Sequence, residues 1–143
     1  MSRPDSQLAR QPSLIRLTSL LAIVVVCTVA WPAYNDHMER AHRAQVRAAL
    51  LNAAQWMERT ARAAGGYPSA AAIPGEVLRV EGGRYVIAVL SNDGVTYTFT
   101  ALPNAAQSRD LCGAYRINQA GMRMQVATAE VPQPLGSQEC WSQ

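Results

Sequence analysis

Lysine is missing from the chain, so all of its 13 basic residues are arginine, set against 10 acids. Arg3, Arg10 and Arg16 against Asp5 put much of the surplus ahead of the main hydrophobic run and leave the rest near neutral. A duplex-binding protein usually gathers a basic stripe on its folded domain, so overall charge alone makes no case for nucleic acid. Catalytic groupings are missing as well. His37 and His42 stand five apart, where a helix needs four to turn both toward one metal, and no cysteine or acid completes a set. They read as solvated or interface histidines. There is no C-x-x-C pair, and the glycines of GGRY, 82–85, open a strand without a phosphate-loop pattern and read as a turn. These absences argue against an enzyme, and no cofactor, metal or small-molecule substrate is expected.

What the chain does have is one hydrophobic run. At 143 residues it can hold one modest core, so a single folded head is expected beside that run. Leu14 to Trp31 reads LIRLTSLLAIVVVCTVAW. Eighteen helical residues rise about 27 Å, enough to cross a hydrocarbon core. The basic N-terminal side favours that end in the cytoplasm, although Arg40, Arg43 and Arg47 follow on the other side. Two other readings compete. One is a secretory signal with Thr28 and Ala30 before the cut; the other is a lipoprotein signal ending at Cys27, against which Val26 stands where a small residue belongs.

From Pro32 to Ala64 the chain is rich in good helix formers, without internal glycine or proline, and it stops at Gly65-Gly66 with Pro68 beyond. Val46, Leu50, Ala53, Met57 and Ala64 make one apolar stripe that something must cover. Arg40, Arg43 and Arg47 fall on another face. They read as a solvated surface, or as a face that meets acidic groups of a neighbour or anionic lipid heads. Pro32 removes one backbone bond, which predicts a bend at Pro32 within one long helix rather than two separate helices.

Residues 65 to 81 read as a loop, after which the period becomes two. Tyr85 to Leu90 is a continuous apolar run, Asn92-Asp93-Gly94 supplies hairpin chemistry, and Val95, Tyr97, Phe99 and Ala101 alternate with Thr96, Thr98 and Thr100. A third strand is expected at Ala114 to Asn118 and a fourth after Gly121 through Met122, Met124 and Val126. The tail VPQPLGSQECW reads as irregular. Cys27 lies in the hydrophobic run, which leaves Cys112 and Cys140 for the head. They are either two buried thiols or, in an exported head, a bridge contributing roughly 3 to 4 kcal/mol. The whole is an α+β fold: a long N-terminal helix packed on a small antiparallel meander.

This layout resembles that of type IV pilins. RAQVRAALLNAAQWMER, Arg43 to Arg59, is similar to the corresponding helix of their minor-pilin group. YTFTALPNAAQSRDLCG, Tyr97 to Gly113, resembles their second strand and the approach to the first cysteine. Cys140-Trp141 fits the close of the fold, and Trp31-Pro32-Ala33-Tyr34 resembles the Tyr-Pro-x-Tyr of the family's helix bend. The processing site departs from the pattern. Where the family has glycine, an aromatic residue and Thr-Leu-Ile-Glu, this chain has Gln11-Pro12-Ser13-Leu14-Ile15-Arg16. The family's peptidase cuts after that glycine, and the glutamate is thought to neutralise a neighbour's terminal amine. Arg16 would set like charge against that amine.

The resemblance implies a pilin-like fold with a C-terminal disulfide loop joining Cys112 to Cys140. The expected organisation is a leader-like segment at 1–13, a membrane helix at 14–31, an amphipathic helix at 32–64 and a sheet head at 65–143. It implies a structural or assembly subunit of a type IV pilus, held in the inner membrane with its head in the periplasm or carried into the filament or its tip. The partners implied are other pilin subunits, pilus assembly proteins and the inner membrane. DNA is a lesser candidate, because some relatives take part in DNA uptake and Arg79, Arg84, Arg109 and Arg123 are expected to be exposed. Tyr67, Tyr85, Tyr97, Tyr115 and Trp141 could stack on bases but read first as core. Alternatives from other classes are a secreted or tethered binding module and a type II secretion pseudopilin. The head disulfide and the lack of an acidic calcium-type loop weigh against the pseudopilin.

Overall fold

The computed structural model describes residues 11–142, with the backbone alone described at 11–17, 23, 29–33 and 36. The chain divides into two units, Met1–Met38 and Glu39–Gln143. One helix, α1, runs Gln11–Ala64 and includes Pro32, as expected of one long helix rather than two. In the first unit Leu20, Leu21, Val24, Val25 and Val26 are exposed at consecutive turns. Among the described residues no helix is long and apolar enough to cross a membrane. The stretch 14–31 read as a span includes side chains that lie outside the described residues, as do those of Gln11, Pro12, Ser13, Arg16 and Pro32, while the leader-like segment falls there almost wholly.

In the second unit, α1 ends where the glycines predict. Gly65 takes φ 82°, and its N–H donates to Ala61 O at 2.8 Å, closing the last turn in a conformation other residues rarely adopt. Val46, Leu50, Ala53 and Met57 are fully buried, in one cluster with Ile87, Phe99, Ala101, Tyr115 and Ile117 of the sheet. Burial of each larger apolar side chain among them, such as Val46, Leu50 and Met57, contributes about 1.5–3 kcal/mol. Ala64 is a correction: it is exposed in the last turn.

Four strands, β1 (Tyr85–Leu90), β2 (Thr98–Pro103), β3 (Ala114–Asn118) and β4 (Arg123–Val126), form an antiparallel meander in the order β1-β2-β3-β4. β1 and β3 occupy the predicted ranges. The apolar run of β1 nonetheless alternates, with Tyr85 and Ile87 inside and Val86 and Leu90 outside. β2 begins at Thr98, and Val95 is exposed instead of sharing the inner face with Tyr97, Phe99 and Ala101. The reason lies in the 65–81 connection. Tyr67 N–H donates to Gly94 O at 2.8 Å and Ala70 N–H to Ser91 O at 2.9 Å, so the turn's backbone pairs with that loop instead of extending the hairpin. Asp93 closes the turn by accepting from the Val95 and Thr96 amides and the Thr96 hydroxyl, and these bonds, the hydroxyl's first, hold its carboxyl at about 2. Met122 is exposed and precedes β4 instead of opening it.

The tail is a second correction. Ser137–Ser142 form a short helix, α2, with Cys140 buried within it. Cys112 and Cys140 are disulfide-bonded across a separation of 28 residues, their Cα atoms 5.8 Å apart. Gly113, beside the first of them, has φ 60°, and a Cβ there would meet Val126 O at 2.8 Å. Gly113→Ala is therefore expected to cost about 1–3 kcal/mol through backbone strain at the start of β3, read as a lower urea midpoint.

Candidate nucleic-acid interface

The three helix arginines separate in the fold. Arg40 is exposed, but Arg43 is only 8% exposed and points to the loop between β2 and β3. Its Nε donates to both carboxylate oxygens of Asp110, at 3.1 and 2.9 Å. Asp110 also accepts from Gln107 Nε2 at 2.7 Å and from the Cys112 N–H at 2.8 Å, so the carboxylate anchors the loop beside the disulfide. Burial works against the Arg43 charge, but the bond to Asp110 and its charge outweigh that and raise its pKa. Arg47 Nη1 donates to the Cys140 carbonyl at 2.9 Å. The reading of a solvated or partner-facing arginine face is thus corrected for Arg43, which ties the helix to the loop between β2 and β3, and for Arg47, which ties it to the disulfide-closed tail.

Tyr85, Tyr97 and Tyr115 are buried, which meets the expectation of core packing, and Tyr67 and Trp141 are half-buried. Tyr115 packs edge-on to Tyr85 at 5.9 Å and to Trp141 at 5.5 Å. Burial first, and the Asp110 charge second, push the Tyr85 and Tyr115 phenols well above the usual value. Tyr85, Tyr97 and Tyr115 are therefore not open to stack on bases. His37 is exposed and His42 Nδ1 pairs with Gln45 at 3.1 Å; among the described residues no group of side chains could hold a metal ion.

The arginines singled out from sequence do not converge. Arg84 precedes β1 and Arg109 follows β2, whereas Tyr85 pairs with Pro103, so both lie toward one end of the sheet. Arg123 opens β4 opposite Ile117, toward the other end, and its guanidinium lies 5.5 Å from the centre of the Trp141 ring. Arg84 is half-buried rather than exposed.

Arg123 is joined by two arginines that the sequence reading passed over. Arg59 and Arg62, in the last turns of α1, line one wall of a groove of about 520 Å³ whose other wall carries Asn118, Gln119 and Arg123 of the β3–β4 hairpin. Their i,i+3 spacing on one helical face was the available signal. Tyr97 and Ile117 line it as well. The one acid in its lining is Glu58, whose Oε1 accepts from Tyr67 Oη at 2.8 Å and from Tyr97 Oη at 3.3 Å. The bond to Glu58, with burial and charge behind it, raises the Tyr67 pKa; for Tyr97 burial is the larger cause and Glu58 the second. Among the described residues Arg59, Arg62, Arg79, Arg84 and Arg109 have no acidic partner, since the ion pairs join Arg43 to Asp110 and Glu39.

Residues 32–116 match the family model described as type IV minor pilin ComP, DNA uptake sequence receptor. No curated protein matches the chain.

Proposed function

Because the chain belongs to this family of type IV minor pilins, we propose that it is a pilus subunit whose head captures DNA outside the cytoplasm, a structural and binding protein rather than an enzyme. The observation that carries the reading is the family match, together with Arg59 and Arg62, which are exposed and, among the described residues, have no acidic partner. Phosphate neutralised by such side chains releases counterions, and that release drives binding. The disulfide suits a head facing an oxidising compartment. The exposed Leu20, Leu21 and Val24 to Val26 suit a helix seated in the inner membrane or among the helices of other pilins. Membrane anchoring and a role in filament assembly are part of this proposal, as is the absence of a small-molecule substrate.

The test is fluorescence anisotropy of a labelled DNA duplex titrated with the full chain in detergent micelles, between about 50 and 200 mM salt. Binding that weakens steeply with salt is expected. A duplex that stays unbound at the lowest salt would overturn the reading.

A further inference from the structure

We infer that the groove between the last turns of α1 and the β3–β4 hairpin seats a phosphodiester backbone, with Arg59, Arg62 and Arg123 as its phosphate ligands. The inference rests on the reading that the head binds DNA and assigns the place where it does so.

Arg59 and Arg62 are exposed, share a face of the helix and lie near its C-terminal end, where the free carbonyls favour cations. Two arginines held on a rigid helix need little ordering before they meet adjacent phosphates. From the opposite wall Arg123 is steadied over the Trp141 ring, next to the buried Cys140 of the disulfide. A guanidinium over a ring keeps its N–H groups at the edge of its own plane, free to donate to an anion.

The rest of the lining agrees with an anionic occupant. Glu58 would oppose one, but two tyrosine hydroxyls already donate to its Oε1, which draws the carboxylate toward Tyr67 and Tyr97. Asn118 Oδ1 is occupied by the Ala120 and Met122 amides, both at 3.0 Å, which leaves its Nδ2 as a donor. Anionic lipid heads are a poorer match. Arg59 lies about 30 Å of helical rise beyond Glu39, where the folded unit begins.

Three forms of the full chain in micelles decide the matter by the same anisotropy titration: native, Arg59→Gln/Arg62→Gln/Arg123→Gln, and a comparison form, Arg79→Gln/Arg84→Gln/Arg109→Gln. The groove variant is expected to lose roughly tenfold or more in affinity and to lower the log–log salt slope by about 2 to 3, while the comparison form stays near native. If native protein binds but both variants weaken alike, or the groove variant binds as native does, the groove assignment falls and the DNA reading stands. If native protein does not bind, both fall. Native binding to anionic vesicles that the groove substitutions abolish, with duplex binding unchanged, would make the groove a lipid site and overturn the inference. Should the triple variant fail to fold, Arg59→Gln/Arg62→Gln alters exposed helix positions only and is expected to lower the slope by about 1 to 2.

Discussion

Asp110→Ala is expected to destabilise the head by about 3–5 kcal/mol, because it strands the Arg43 guanidinium inside the protein without its counter-charge. Arg43 is 8% exposed and Asp110 3%, so water cannot replace the lost carboxylate. Glu39 lies 3.9 Å from Arg43 Nη2, but it is half in solvent and gives weak compensation. The same substitution leaves the Cys112 amide and the Gln107 side chain without their acceptor. Urea unfolding of the full chain, followed by tryptophan fluorescence, checks it. Arg43→Met/Asp110→Leu is expected to lie closer to native than Asp110→Ala, because removing both charges removes the penalty of burying one alone. Equal losses in the two variants would show that the loop's other bonds to Asp110, not the ion pair, hold it in place.

Opening the Cys112–Cys140 bridge is expected to cost about 3.5 kcal/mol, the loop-entropy value for its 28-residue separation. The loss extends past chain entropy. Cys140 offers its carbonyl to Arg47, and the neighbouring Trp141 packs on Tyr115 and under Arg123, so the bridge fixes α2 against β4. The measurement compares urea midpoints of Cys112→Ala/Cys140→Ala and its parent, both carrying Cys27→Ser because Cys27 is an exposed free thiol. Loss of amide protection in residues 137–142 should accompany the lower midpoint. An unchanged midpoint would mean that α2 is held by packing alone.

The elements themselves were legible because their signals are local. The helix end at Gly65, the apolar stripe from Val46 to Met57, the ranges of β1 and β3 and the cysteine pair follow from period, capping chemistry and count. The extent of β2 was not legible, because it depends on where residues 67 and 70 place their amides. α2 was hidden by the prolines and glycine before it and by its length of six residues, too short for a periodic signal.

Which arginines face water was decided only by the tertiary structure. From sequence, Arg40, Arg43 and Arg47 are three equivalent positions on a helix. In the fold, Asp110, 67 residues away, converts one of them into a buried tie, and the carbonyl of Cys140 holds another. The candidate site has the same origin: Arg59 and Arg62 belong to a helix and Arg123 to a strand, and the meander brings them to one groove. Local chemistry settles what each segment becomes, but the charges it carries acquire partners only when the chain folds back on itself, since such pairing leaves no periodic trace along the sequence.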